Sequence, residues 1–388
     1  MKRTIVQREY WQRACLPFIS IFLFTAHSVA QRPMGIKQLA RRASTEWCLS
    51  AEAQQVADSV MKYQFPSGGW AKNHDWHLAA DGNKLAERQQ VWQQIHSNDG
   101  IGPTIDNGAT ISEMRLLARI YQANATAKKR NSKQQKRLRQ AVLKGFGYLL
   151  EAQYANGGWP QYYPKKPANK DGRPPYSDHI TFNDNAIVNV MQLLRDIYEE
   201  REPMAAIGFS EQQRQQAREA FNRGIDCILN CQIKKDGKLT VWCQQHDEQT
   251  LLPANARAYE LASFTGSHET VAILKLLMSL PNPSPRIVES VTAAISWLEQ
   301  HALRDMRKDS FVNAEGKRDS RLVHSFGSTL WARYYDLETE EPYVCDRDGK
   351  PQPALEYIGY ERRNGYGWYS SDPQEVIDAF PAWENKVR

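Results

Sequence analysis

The sequence predicts an all-α dominated fold: an (α/α) barrel or toroid of helical hairpins, with a C-terminal elaboration of short strands and loops. Three observations point there. A Gly-Gly-Trp block that ends a helical pattern recurs along the chain, a block rich in Asp and Asn opens the helix that follows, and no strand pattern of matching length appears in the first three hundred residues. With 388 residues, 41% of them hydrophobic and 24% charged, the chain can bury a large core. Composition excludes a disordered chain, a collagen and a small disulfide scaffold.

At the N-terminus Lys2, Arg3, Arg8 and Arg13 precede an apolar run from Ala14 to Ala26 and a small-residue site at Ser28-Val29-Ala30. This pattern predicts a signal peptide over 1–30. Its apolar run is too short to span a bilayer, for which about 20 residues are needed. The expectation is a secreted or periplasmic protein with no membrane contact once processed. The formal charge of +6 would drop to roughly +3 on the mature chain, so half of the basic excess says nothing about a partner. Residues 31–52 read as an N-terminal segment, and 53–388 as one barrel domain including its C-terminal elaboration.

The repeat begins at Tyr63-Gln64-Phe65-Pro66-Ser67-Gly68-Gly69-Trp70. It returns as Ala152-Gln153-Tyr154-Ala155-Asn156-Gly157-Gly158-Trp159, and more loosely as Cys231-Gln232 with Asp236-Gly237 and Trp242. Each copy closes a helical pattern: Ala53 to Tyr63, Ala141 to Gln153 and Glu219 to Gln232. Glycine stops the helix because it accepts positive φ without a Cβ penalty. The second block reads Thr104-Ile105-Asp106-Asn107-Gly108-Ala109 before a helix from Thr110 to Gln122, and Thr181-Phe182-Asn183-Asp184-Asn185-Ala186 before one from Ile187 to Glu199. A third version, Pro253-Ala254-Asn255-Ala256-Arg257-Ala258, is expected to open a third helix. Asp106 and Asp184 suit N-cap positions, yet equivalent helix ends from three repeats facing one another favour a shared site. Further helices are expected from Glu269 to Leu280 and Arg286 to His301, and the tail from Asp305 reads as short strands and loops packed on the barrel.

Other features read as structural. Removing the signal segment leaves Cys48, Cys227, Cys231, Cys243 and Cys345, an odd number. Cys243 with His246 invites a zinc reading, but the spacing matches no paired-CxxC site, so buried apolar cysteine is expected. The basic run Lys128, Lys129, Arg130, Lys133, Lys136, Arg137 and Arg139 reads as a solvated helix face, since no nucleic-acid module surrounds it. Asp106, Asn107, Asp184 and Asn185 offer hard oxygen ligands suited to Ca²⁺ or Mg²⁺. Trp70, Trp76, Trp159, Tyr162, Tyr163 and Trp242 crowd the same loops, either as sugar platforms or as hairpin packing.

Several motifs together resemble the pectate lyases of polysaccharide lyase family 10. They are Gly68-Gly69-Trp70-Ala71-Lys72-Asn73, Thr104 to Thr110, His179 to Ala186, Ala256-Arg257-Ala258-Tyr259-Glu260, Leu330 to Thr339 and Arg362-Arg363-Asn364-Gly365-Tyr366, running in order between Ala53 and Tyr369. The resemblance implies a monomeric (α/α) barrel enzyme that cleaves polygalacturonate or pectin chains by calcium-dependent anti-β-elimination, with no nucleic-acid partner. Carried onto this chain, it makes Arg257 the catalytic arginine. Asp106 and Asp184 would be metal ligands, with Asn107 beside them on the calcium-bridged uronate. Lys72 and Arg333 become substrate contacts. Arginine as a base is chemically awkward, its pKa being above 12, so an electrostatic clamp on the uronate is an equal reading. Two rivals share parts of the pattern: a terpenoid-cyclase-like toroid, which would need a carboxylate run and an apolar cavity, and a glycoside hydrolase on an α/α barrel, for which Asp106 and Asp184 would be the carboxyl pair.

Overall fold

The computed structural model describes residues 35–73, 102–126, 131–165 and 176–387. The expected signal peptide, Trp76 and the first three cations of the basic run lie outside them. Among the described residues the helices are α1 Ile36–Arg42, α2 Thr45–Cys48, α3 Ala51–Lys62, α4 Ile111–Ala125, α5 Ser132–Ala152, α6 Ala186–Tyr198, α7 Glu211–Cys231, α8 His268–Met278, α9 Pro285–Gln300, α10 Tyr360–Gly365 and α11 Pro373–Val387. None is long and apolar enough to cross a membrane. The strands are β1 Ile180–Thr181, β2 Lys234–Lys235, β3 Lys238–Leu239, β4 Gln245–His246, β5 Phe264–Thr265, β6 Leu303–Val312, β7 Arg318–Ala332, β8 Tyr334–Tyr335, β9 Pro342–Cys345, β10 Pro351–Gln352 and β11 Tyr369–Ser370.

The helices pack in two rows. In one, α4 touches α6 and α6 touches α8; in the other, α3, α5, α7 and α9 follow one another, with α4 against α5 and α6 against α7 forming hairpins between the rows. Apolar stripes at three and four spacing explain the contact faces: Leu138, Val142, Phe146 and Leu149 on α5, and Ile187, Val190, Met191 and Leu194 on α6, are all buried. Ser50, Asn131 and Ser210 cap α3, α5 and α7 through their side chains.

The recurring glutamines hold the rows in register. Gln64 Nε2 donates to its own turn at Gly68 O (2.7 Å) and across to Ala141 O (2.9 Å) on α5. Gln153 repeats this with Gly157 O (3.0 Å) and Ala220 O (2.8 Å) on α7. Gln232 does so with Thr240 O (2.8 Å) and Ser290 O (2.9 Å) on α9. The turn between glutamine and tryptophan needs glycine: Gly157 has φ +90°, and a Cβ there would collide with Arg223 O on α7. The tryptophans then hook backwards. Trp70, Trp159 and Trp242 are fully buried and donate Nε1–H to Val60 O, Leu149 O and Ile228 O, each on the preceding helix. They are packing residues, not sugar platforms.

A fourth station was not visible as a repeat. Trp331 is buried and donates to Leu298 O on α9 at 2.7 Å, but the long β6–β7 hairpin separates it from its helix where the other copies have a short turn. Neighbouring stations are stitched by backbone bonds: Ile105 N to Gln161 O (3.3 Å), Phe182 N to Gln244 O (2.8 Å) and Gly266 N to Arg333 O (3.1 Å). The acceptor is in each case the second residue after a tryptophan.

Two expectations are corrected. The segment after Pro253 does not open a helix at Ala258; Ala256 N bonds Glu260 O and Glu260 N bonds Arg257 O in a tight turn, and α8 starts only at His268. Alanine-rich propensity there yields to tertiary bonding, because Thr265 N and Gly266 N are drawn to Trp242 O and Arg333 O. The tail holds longer elements than expected, namely the β6–β7 ribbon, whose exposed polar residues hide a strand period, and α11, which buries Val376 and Trp383. The five described cysteines are buried and free, with Cys227 Sγ and Cys231 Sγ 3.9 Å apart. Within the basic run, Arg139 donates to Ile207 O and Gly208 O and Arg137 pairs with exposed Asp58.

Replacing Gln232 by Leu leaves Thr240 O and Ser290 O without their donor in a buried position. The expected cost is about 2–4 kcal/mol, read as a lower midpoint in urea unfolding with an unchanged slope.

Candidate active site

The ends of α4, α6 and α8 that face the stitched stations each carry an acid: Asp106, Asp184 and Glu269. Capping does not account for them, since the N-caps of α4, α6 and α8 make no side-chain cap hydrogen bond. The backbone is turned instead through left-handed conformations at Asn107 (φ 53°), Thr110 (φ 67°), Asp184 (φ 51°) and Asn185 (φ 61°), which are costly for residues other than glycine. Thr110 recovers part of this by donating Oγ1–H to Thr104 O and accepting from Trp70 N.

The residues two places after each tryptophan are Lys72, Gln161, Gln244 and Arg333, and they interleave with the acids. Lys72 pairs with Asp106. Gln161 donates to the same Oδ2 at 2.7 Å, and Asn107 N to Oδ1 at 2.9 Å. Gln244 donates to Asn183 Oδ1 (2.9 Å) and Glu269 Oε1 (3.2 Å). Arg333 pairs with Glu269, reaches Asn183 Oδ1 at 3.2 Å and lies 3.5 Å from Asp184 Oδ1. Arg257 sits across the crevice in its turn, with Nε 3.2 Å from Glu260 Oε2 and Nη1 donating to Tyr259 OH at 3.1 Å. Asn107 Nδ2 donates to Asn73 Oδ1 at 3.3 Å.

The charges set one another. Burial opposes the Lys72 ammonium, but the Asp106 carboxylate more than compensates and holds it above its usual value. Burial likewise opposes Arg257, and Glu260 with Tyr259 raises it further still above the ordinary guanidinium range. Glu260 itself is pushed up by burial against the pull of Arg257 and Arg333. Glu269 is buried yet lowered, because Arg333 outweighs the loss of water. Asp184 is raised, first by desolvation and then by Glu269 and Asp106, with Arg333 and Lys37 opposing. Side-chain exposure is 41% for Asp184, 33% for Arg257 and 18% for Lys72, against 6% for Arg333 and 1% for Asp106. Asp184, Arg257 and Lys72 are therefore the members of the set that solvent reaches, and Asp106 and Arg333 are buried.

The structure thus gathers Lys72, Asp106 and Asn107 into one bonded set and Asp184 and Arg333 into a second, coupled through the charge of Asp106 at Asp184, and the field between Lys72 and Arg257 ties in the last of the six sequence candidates. Gln161, Gln244, Glu260 and Glu269 were missed as site residues. The tryptophan-plus-two spacing marks the two glutamines; nothing local marks Glu269, which α8 delivers. Away from this network, His179, Asp247 and Glu248 place one ligand atom each within 4.8 Å of one another.

The likeness to known proteins extends over most of the chain. Residues 64–377 match the family model described as pectic acid lyase. Among solved structures, a family 10 polysaccharide lyase from Cellvibrio cellulosa is 32% identical with a TM-score of 0.69, covering 91% of this chain and 94% of that one. A mutant of the Cellvibrio cellulosa family 10 lyase, in complex with trigalacturonic acid, gives the same identity and TM-score over 95% of its length. No curated protein matches the chain significantly. These likenesses define the class of protein, a polysaccharide lyase. The chain belongs to the pectic acid lyase family, polysaccharide lyase family 10.

The Cys243/His246 pair that suggested zinc is a folding device. His246 Nε2 accepts from Cys243 N at 3.1 Å and Nδ1 lies 2.8 Å from Leu251 O, which fits only the neutral ring. Burial pushes His246 down to about 4. An unfolded histidine titrates near 6.5, so between these values the unfolded chain binds the extra proton. Stability from this group is full above pH 6.5 and is lost as pH falls toward 4, by up to about 1.4 kcal/mol per pH unit. Urea unfolding across pH 7 to 4 should show that slope, and His246→Gln should lack it.

Proposed function

We propose that this chain is a secreted or periplasmic pectate lyase, acting as a monomer on polygalacturonate by calcium-dependent anti-β-elimination and leaving oligogalacturonates with 4,5-unsaturated non-reducing ends. The observation that carries this is a pair of reachable cations, Lys72 and Arg257, near enough for their charges to act on one another, together with the exposed carboxylate of Asp184 in the field of Asp106, the acid that pairs with Lys72. A polyanionic sugar needs the former and a bridging cation needs the latter. We further read the two helix rows as an (α/α) barrel formed by 53–388, following a leader over 1–30 and an N-terminal segment over 31–52.

The donor set fits a hard cation. Asp184 stands in the field of two other carboxylates, and Asn185 Oδ1 and Glu269 Oε2 are buried oxygens that accept no hydrogen bond among the described residues. Asp184 would hold calcium, with Asp106 contributing charge and an unused lone pair, since a carboxylate offers about four acceptor sites. Calcium bound there would draw electron density from the uronate carboxylate and acidify its C5 proton.

The chain's own residues do the rest. Lys72, held charged by Asp106, grips a uronate carboxylate, and Asn107 borders the same spot. Arg333 anchors Asn183 beside Asp184 and lends its charge from beneath. Glu260 orients Arg257 and keeps it protonated, which favours a clamp on the negative charge that spreads over the carboxylate as C5 loses its proton. A base role would require Arg257 to escape Glu260 first, and its rate would climb about tenfold per pH unit well into the alkaline range; a clamp predicts no such climb.

Arg257→Lys should lower kcat by about a hundredfold or more while oligogalacturonate binding, followed by calorimetry, changes little. Near-native turnover would remove Arg257 from the reaction. Chelation should abolish the ultraviolet absorbance of the unsaturated product and added Ca²⁺ restore it; a saturated product would instead mean hydrolysis.

A further inference from the structure

The charged crevice opens at Asn107 and Asp184 into a cavity of about 850 Å³ lined by α1, α4, α6 and α8, within the range of about 300–1,000 Å³ typical of ligand sites. Its walls are rich in cations, and most are neutralised. Arg115 pairs with Asp196 at 2.6 Å, Arg195 with Glu199 at 2.9 Å, and Lys275 with Glu375 at 2.7 Å. Arg119 spends its guanidinium on the carbonyls of Ala40 and Arg41, which leaves Lys37 and Arg41: neither makes an ion pair among the described residues. They lie four apart on α1 and so share one helix face, and both line the cavity. Lys37 also borders the smaller cavity of about 380 Å³ beside Asn73 and Asn107.

This face is fixed in place. Leu39 and Ala40 are buried where α1 packs on α4. Arg119 of α4 donates Nε–H to Ala40 O at 2.7 Å and Nη2–H to Arg41 O at 2.9 Å, tying down the C-terminal carbonyls of α1. Lys37 comes close to the active-site turn, its Cε lying 3.7 Å from the place a Cβ on Gly108 would occupy. Its charge is felt at Asp184. The segment matched by the family model begins at residue 64, so α1 lies outside it.

We propose that α1 supplies a further substrate subsite, in which Lys37, supported by Arg41, binds a carboxylate of a galacturonate chain that continues past Asn107 and Asp184 into this cavity. The proposal rests on the pectate reading given above. An elongated polyanion fits because the unpaired cations begin at the crevice and run along one wall, where successive uronates would meet them. A single carboxylate bound at Asp184 would leave them unused. The subsite therefore selects chain length and does not take part in bond cleavage.

The test is calorimetric titration of Arg257→Lys protein with tri-, tetra- and hexagalacturonate, with and without Lys37→Gln, and steady-state kinetics of Lys37→Gln on polygalacturonate. Lys37→Gln is expected to weaken hexagalacturonate binding about five- to tenfold and trigalacturonate binding less than twofold. KM for the polymer should rise with kcat falling less than twofold, and Lys37→Arg should restore both. Equal affinity with and without Lys37→Gln at every chain length overturns the proposal. So does a uniform loss at all lengths accompanied by a lowered melting temperature, which marks a structural role; Arg41→Gln repeats the test where α1 is disturbed. If inorganic phosphate stabilises wild type but not Lys37→Gln while oligomers bind both alike, the cavity takes small anions and the proposal falls. Failure of the pectate reading shows separately, as wild type giving no unsaturated product from any chain.

Discussion

The paired hydrogen bonds of Gln64, Gln153 and Gln232 are the constraint from which the remaining geometry follows. Each amide satisfies a carbonyl in its own turn and a carbonyl on the next helix of the row α3, α5, α7 and α9. One planar group thus fixes both where a hairpin turns and how far it stands from its neighbour. The backward hook of each buried indole removes the remaining freedom of the chain leaving the turn. Two residues further on the side chain has one direction available, into the crevice. The chemistry there varies from station to station, as Lys72, Gln161, Gln244 and Arg333, while the frame behind it does not.

This frame lets the site store opposed charges at close range. Lys72 with Asp106, Arg257 with Glu260, and Arg333 with Glu269 are ion pairs that a water-filled crevice would hold loosely, yet the acids are at most a few per cent exposed. Buried pairs of this kind are weak contributors to stability, because desolvation cancels much of the attraction. Their value is positional: cations already oriented toward a developing negative charge need no reorganisation when it appears. Asp184 is the exception, a partly exposed carboxylate that stands between the Arg333 guanidinium and two other acids.

Much of this was legible in the sequence, and for identifiable reasons. The repeated glutamine, glycine and tryptophan are local signals, since the turn needs positive φ and the helix must stop there. The helices on either side show the 3.6 period. Five of the six candidate site residues fall in or beside the repeated blocks, and Arg333 was reached only through the family resemblance. What escaped was non-local. Glu269 reads as an ordinary helix residue until α8 is placed, and Trp331 hides its kinship with Trp70 behind a ribbon whose polar faces lack strand alternation. The block holding Arg257 was expected to open a helix because it stands third in the series of helix-opening blocks, and only the pull of Trp242 and Arg333 on the following backbone shows why Arg257 stands in a turn.

The long β6–β7 ribbon has a topological meaning. It delivers Arg333 both to Glu269, 64 residues away in sequence, and to Asn183, 150 residues away, whereas the cross-helix bonds of the glutamines span 77 residues or fewer. The glutamines join only successive hairpins; this one guanidinium joins the end of the ribbon to the block that opens α6. A change that shifted the ribbon would therefore be transmitted to the neighbourhood of Asp184 without disturbing the glutamine frame.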